Sequence, residues 1–198
     1  LEILKSFIDP RINIFTNTRN IGQTKSLNIG LKKCRGRYVA RLDGDDMMVK
    51  DRLNKQYNFL KNNPDITVIG CYFHVIDENN NNIGKGHWPC GVKNTFFYSI
   101  CGKNPLGHPG VMMEKIAVND VNNYSEDFLF SQDYDLWLRL LLNGYLIDNI
   151  PEYLTLYRDT VNNSVEKKEI QEIYHRKAFY NYVDVLTKKK IKSTFLDY

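Results

Sequence analysis

The chain has 198 residues, a net charge of +4, 42% hydrophobic residues and 13% aromatic ones, enough for one buried core and too apolar for a disordered chain. Its longest apolar stretch, Leu136 to Leu142, is broken by Arg139 and falls far short of the roughly 18 residues of a membrane span. The four cysteines (Cys34, Cys71, Cys90, Cys101) form no Cys-x-x-Cys pair, which argues against a zinc knuckle or a thioredoxin-like site and fits a reducing, cytoplasmic setting.

The sequence opens on Leu1 without a basic-then-apolar leader, and reads as a piece of something longer. Leu1 to Phe7 reads as the end of a helix closed by Asp9-Pro10, and Ile12 to Phe15 alternates like a strand. Gly22 to Lys33 has near-helical apolar spacing, and Gly36 follows its end. Tyr38 to Leu42 predicts a short strand running into Asp43-Gly44-Asp45-Asp46. Asp51 to Asn62 predicts a helix, and Ile66 to Asp77 a long strand rich in β-branched and aromatic residues. Strands joined by helical crossovers imply an α/β fold, a mostly parallel sheet flanked by helices on both faces.

Beyond residue 78 the pattern loosens. A hairpin is expected across Asn79 to Asn82, a short helix near Lys93 to Ile100, and a strand at Val111 to Met113. A clear helix follows from about Asp133 to Asn143, stopped by Gly144. Short strands near Leu146 to Asn149 and Tyr153 to Tyr157 precede a final helix over about Lys167 to Leu186. No linker interrupts residues 1–198, so a single domain is expected, with 160–198 its C-terminal helix and basic tail. The tail lysines (Lys188, Lys189, Lys190, Lys192) read as a solvated helix end. A second reading is an acidic membrane surface, giving a peripheral location. They lack the aromatic interleaving of a nucleic-acid platform, so no nucleic acid is expected as a partner.

Four segments carry chemistry. Asp43-Gly44-Asp45-Asp46 places three carboxylates in four residues at a strand's carboxyl end, where open α/β sheets bind ligands. Like charges so close need an answering cation or donor network, and Mg²⁺ or Mn²⁺ with phosphate suits them; a solvated acidic turn is the plain alternative. An EF-hand fails, because Met47 and Asn54 stand where acidic ligands are needed. A dehalogenase-type phosphatase also uses Asp-x-Asp after a strand, but Met47 and the preceding strand and helix fit it badly. Second, Ser131-Gln132-Asp133 opens a helix, where the macrodipole favours a charged Asp133 fit to act as a general base; simple N-capping is the rival. Third, His108-Pro109-Gly110 puts a histidine in a stiff loop. Fourth, Asn20-x-Gly22 and Asn28-x-Gly30 permit close backbone approach, and Lys25 could meet a phosphate.

In order, these segments resemble family 2 glycosyltransferases of the GT-A fold. The matching text is Asn20-Ile-Gly-Gln-Thr-Lys-Ser-Leu-Asn28-Ile-Gly30, Gly36-Arg-Tyr-Val-Ala-Arg-Leu-Asp43-Gly-Asp45-Asp46, Asp51-Arg-Leu, Asn63-Pro-Asp-Ile, His108-Pro-Gly-Val-Met-Met and Gln132-Asp133-Tyr-Asp-Leu-Trp-Leu-Arg139. The resemblance implies a GT-A (Rossmann-like) domain that moves a sugar, with inversion, from a nucleotide donor (a UDP-sugar first) to a hydroxyl of a glycan, lipid-linked or protein acceptor. Asp45 would hold a divalent cation, Mn²⁺ or Mg²⁺. Asp43 would face the ribose or share the metal, with Asp46, Lys25 and Asn28 also on the donor. Asp133 would be the base, and His108, Asp135 and Arg139 would contact acceptor or sugar.

Two departures stand out. The family's Glu before the base is Gln132, which removes a like charge beside Asp133. The family's opening strands are also missing, leaving the domain incomplete at its N-terminus. Ile12 to Phe15 would then lack a neighbour, and the isolated chain is expected to bind donor poorly or to borrow pairing in a homodimer. A non-catalytic GT-A-like binding or assembly module stays open on this reading, as does the phosphatase.

Overall fold

The computed structural model describes residues 2–159 and 165–188. In chain order these form α1 (Glu2–Lys5), α2 (Gln23–Lys33), β1 (Tyr38–Ala40), β2 (Met47–Met48), α3 (Arg52–Asn62), β3 (Ile66–Ile76), β4 (Asn82–Gly86) and α4 (Val92–Ile100). A 3₁₀ turn (His108–Gly110), β5 (Met112–Glu114), α5 (Lys115–Asp120), α6 (Gln132–Leu142), β6 (Leu146–Arg158) and α7 (Val165–Lys188) complete the chain.

The strands make one sheet in the order β1-β5-β3-β6-β2, with β4 paired to β3. The α/β class is as expected, but the sheet is mixed rather than mostly parallel. β3 and β6 pair in parallel, whereas β5 is antiparallel to both β1 and β3, and β2 is antiparallel to β6. The reason is topological. The crossover through α3 does leave β1 and β3 pointing the same way, but it sets them one position apart. Short β5 fills that position, entered from the 3₁₀ turn and running opposite to both of its neighbours.

Side chains alternate across the sheet. On β3, Val68 faces a core layer with Trp137, Leu136 and Leu140 of α6, while Ile69 and Phe73 face a second layer with Leu60 of α3. A third layer (Phe128, Tyr134, Leu138, Ala178, Tyr182) joins α6 to α7. Arg52 of α3 is wholly buried; its Nη2 donates to the carbonyls of Arg41 and Val111 at 2.7 and 3.2 Å. That bond pins the end of β1, directly before the acidic turn, to the start of β5.

Several expectations are corrected. Ile12 to Phe15 forms no strand: Ile12, Ile14 and Phe15 are exposed, and no described strand lies beside them to satisfy their backbone groups. The two strands expected after residue 145 are one, β6, with Pro151 and Glu152 left unpaired between Ile150 and Tyr153, a bulge that accommodates a residue without an N–H. Helix α5 was not foreseen. Lys189, Lys190 and Lys192, and residues 160–164, lie outside the described residues. Among the described residues no helix is long and apolar enough to cross a membrane.

Candidate active site

The acidic turn joins β1 to β2, and two arginines hold it. Arg41, buried at the end of β1, grips Asp43 with both guanidinium nitrogens, Nη2 to Oδ1 at 2.6 Å and Nη1 to Oδ2 at 3.1 Å. Arg158 donates from Nε to the Asp45 carbonyl at 2.8 Å and from its amide to Asp46 Oδ1 at 2.8 Å. Asp46 is buried, so its pKa rises, against the lowering effect of the Arg158 amide; its Oδ2 has no partner. Asp45 is exposed and Asp43 half-buried. The cationic and amide partners are what a plain solvated turn lacks, and they answer the repulsion among the three carboxylates.

Among the described residues no group of three His, Cys, Asp or Glu side chains could hold a metal ion by itself. A cation shared with a diphosphate needs only one or two carboxylates. Asp43 and Asp45 supply such a pair, and the unpartnered Oδ2 of Asp46 borders the turn, so the donor set fits Mg²⁺ or Mn²⁺ bound together with phosphate.

Asp133 lies in the first turn of α6, after Ser131 in the left-handed region at φ 54°. Asn104 Nδ2 donates to its Oδ2 at 2.8 Å. The sequence suggested that the helix terminus keeps this carboxylate ionised. In the structure burial dominates and raises its pKa, while Asn104, the backbone N–H groups of Asp133 and Tyr134, and the charge of Arg41 pull it back. A raised pKa makes the carboxylate a stronger base.

A buried floor adjoins the acidic turn, with Tyr124 and Asp43 lining one cavity. His108 is buried, and its Nε2 shares a 2.8 Å hydrogen bond with the Tyr124 hydroxyl. Its ring meets Trp137 edge-on, with centroids 6.0 Å apart. Burial holds the imidazole well below its usual pKa and the phenol well above its own, so both are neutral. Tyr124 lines the cavity that Asp43 borders, and the negative charges of Asp133 and Asp43 add to the rise of its pKa. His108 is therefore part of this floor rather than an exposed contact.

The other candidate residues occupy different places. Asn28 clamps the Tyr124 backbone, accepting from its N–H at 3.1 Å and donating to its carbonyl at 2.9 Å; both ends of the amide are engaged in holding the floor. Asp135 and Arg139 form a buried brace one helical turn apart, at 2.7 Å. Arg139 also donates to the carbonyls of Val121 and Asn123. Lys25 is exposed beside Glu126 at 4.0 Å. Gln132, buried, donates to Gln23 Oε1 at 2.8 Å and ties α6 to the start of α2.

Two cavities border the two carboxylates. One of about 360 Å³, lined by Leu27, Leu31, Val39, Arg41 and Asp43 among others, lies between α2 and β1. The other, about 330 Å³, is polar and is lined by Asn104, Ser131, Asp133, Gln171, Glu172 and His175 among others. Reading the sequence missed Arg41, Asn104, Tyr124 and Arg158. Arg158 sits 113 residues from its Asp45 partner and Asn104 sits 29 from Asp133, so no local pattern announces them.

The model of the family described as Glycosyl transferase family 2 matches residues 1–121. An uncharacterized glycosyltransferase, MJ1057, of Methanocaldococcus jannaschii is 34% identical over 186 residues, covering 90% of this chain and 63% of that protein. The Escherichia coli UDP-Gal:alpha-D-GlcNAc-diphosphoundecaprenol beta-1,3-galactosyltransferase is 29% identical over 178 residues, covering 87% and 64%. The chain thus spans less than two thirds of either relative. Among solved structures, the mannosyltransferase PcManGT of Pyrobaculum calidifontis, in complex with GDP-Man and Mn²⁺, superposes with a TM-score of 0.60 at 13% identity, covering 90% of this chain and 47% of that one. The family match extends over more than half of the sequence, the fold agrees, and the chain belongs to glycosyltransferase family 2.

Proposed function

We propose that the protein transfers a sugar from a nucleotide-diphosphate donor to an acceptor hydroxyl with inversion. Asp43 and Asp45 serve the donor and its divalent cation, and Asp133 is the general base. The observation that carries this reading is the pair of restrained carboxylates: Asp43 gripped by Arg41 beside the cavity that Tyr124 lines, and Asp133 held by Asn104 at the start of α6.

Each group has a task. Arg41 fixes the Asp43 carboxylate, so the turn meets the donor in a set arrangement and little ordering is left to binding. When bound, Mn²⁺ or Mg²⁺ supplies charge neutralisation for the diphosphate. Asn104 bonds Oδ2 of Asp133 and holds the carboxylate in place for the acceptor. The acceptor hydroxyl enters through the polar cavity beside α7, gives its proton to Asp133, and its oxygen bonds to the anomeric carbon. The bond from that carbon to the phosphate oxygen breaks, and the electron pair departs with the nucleoside diphosphate. The neutral His108–Tyr124 pair excludes water and adds no competing charge.

The names of the relatives support a UDP-sugar or GDP-sugar donor and a lipid-linked acceptor. A lipid-linked acceptor supports a peripheral site of action at the cytoplasmic face of a membrane. The test is transfer from radiolabelled UDP-sugars or GDP-mannose with Mn²⁺ to diphosphate-linked lipid acceptors. Asp133→Asn should lower kcat by about 10²–10⁴-fold while donor and Mn²⁺ still bind by calorimetry. Asp45→Ala should remove metal-dependent donor binding. Full transfer by either variant refutes the assignment.

A further inference from the structure

Arg158, the last residue of β6, has a set of partners unlike that of an ordinary surface arginine. Its amide donates to Asp46 Oδ1 and its Nε to the Asp45 carbonyl, each at 2.8 Å. Its Nη1 donates to the Asp77 carbonyl at 2.5 Å and its Nη2 to Asn80 Oδ1 at 2.7 Å. Asp77 and Asn80 belong to the turn between β3 and β4. That turn is itself stiff: Asp77 Oδ1 accepts from the N–H groups of Asn79 and Asn81 at 2.9 and 2.8 Å, and Asn80 sits at φ 67°. Among the described residues no carboxylate forms an ion pair with the Arg158 guanidinium, although three carboxylates stand in the adjacent turn.

The geometry rules out simple charge pairing as its role. Three oxygens in three directions match a planar fork and no other side chain. By taking the peptide oxygen of Asp45, Arg158 fixes the backbone there and leaves the Asp45 carboxylate exposed. By taking Asp46 Oδ1 with its own amide, it draws that carboxylate inward and fastens the turn to the end of the sheet, where Ile76 and Arg158 stand in register.

We infer that Arg158 is a positioning residue: it uses the rigid β3–β4 turn as an abutment to set Asp45 and Asp46 before cation and diphosphate arrive. The inference rests on the proposed reading of the acidic turn as the donor and cation site. Its consequence is that Asn80, in a turn with no part in the chemistry, contributes to cation affinity.

The test measures Mn²⁺ binding directly, by loss of the free aqueous Mn²⁺ signal in electron paramagnetic resonance, alongside kinetics and thermal melts in chelator. Arg158→Ala should weaken Mn²⁺ binding about tenfold, the scale of one charge-assisted hydrogen bond. The donor KM should rise in parallel and the acceptor KM should not. Arg158→Lys should recover only part of the affinity, since one ammonium cannot meet three divergent oxygens. Asn80→Ala should shift Mn²⁺ binding the same way by a smaller factor. Wild-type Mn²⁺ affinity in Arg158→Ala, whatever its melting temperature, overturns the inference and leaves the function reading standing. If Arg158→Ala fails to fold, wild-type affinity in both Arg158→Lys and Asn80→Ala overturns it instead. A wild-type protein that binds neither Mn²⁺ nor donor overturns the reading of the turn and this inference with it.

Discussion

Asn104→Ala isolates how the proposed base is tuned. Asn104 donates 2.8 Å to Asp133 Oδ2, and it stabilises the charged carboxylate against the burial that raises its pKa. A hydrogen bond to a charged group contributes about 1.5–3 kcal/mol, and one pKa unit corresponds to about 1.4 kcal/mol. Asp133 is half-buried, so water replaces part of the lost bond, and an upward shift of about one unit is expected. In the proposed reaction Asp133 acts deprotonated, so the acid limb of the kcat/KM profile should move about one unit to higher pH. The stability sign follows from the same shift. A carboxylate whose folded pKa lies above its unfolded value favours the folded state below the unfolded pKa, and that contribution is lost as pH rises through the folded pKa. The variant should therefore lose more stability than wild type as pH rises from the carboxylate range to neutrality. Initial rates from pH 4.5 to 8.5 and melts at both ends measure the two effects. An acid limb that stays in place or moves down refutes the reasoning.

Two further substitutions test the scaffold. A Cβ at Gly110 would lie 2.3 Å from Phe73 Cε1 and 2.9 Å from Cys71 Sγ. Gly110→Ala should therefore cost about 1–3 kcal/mol in urea denaturation and lower activity through the displaced His108 turn; wild-type stability would contradict the packing. Arg139→Met removes the cation from a 2.7 Å pair with Asp135, whose side chain is 9% exposed, and frees two loop carbonyls. It should cost about 3 kcal/mol, the low end for a broken buried pair because Arg139 is 24% exposed. Asp135→Asn added to it should restore part of that loss, and a double variant no better than the single one would refute the pairing.

Local patterns in the sequence recovered the helices that bury one face. Gln23–Lys33, Arg52–Asn62 and Gln132–Leu142 stand within a residue or two of the expected bounds, because spacing and a following Gly or Pro specify such elements locally. Sheet order was less legible. β5 is three residues long, and its place between β1 and β3 is set by packing across about 70 residues. The two short strands expected at Leu146 to Asn149 and Tyr153 to Tyr157 are one, because the sheet absorbs a bulge at Pro151 and Glu152. At the site, the carboxylates stood out because they cluster, whereas Arg41 looks like any strand residue and Asn104 like any loop residue until the fold brings each to its acid. Asn28 shows the opposite case. Its motif pointed to a donor contact, and its amide holds the Tyr124 backbone.

The Gln132–Gln23 pair has a bearing on how the site behaves through a catalytic cycle. In the proposed cycle the residue beside it gains and loses a proton with every transfer, so the charge at the mouth of α6 alternates. A carboxylate at 132 would share that proton and spread the titration over two groups. Two amides do not titrate. The junction between α2, which borders the Asp43 cavity, and α6, which carries the proposed base, is therefore electrically silent: the helices should stay registered while the charge beside them switches, and the pH profile should report one ionisation instead of a blend.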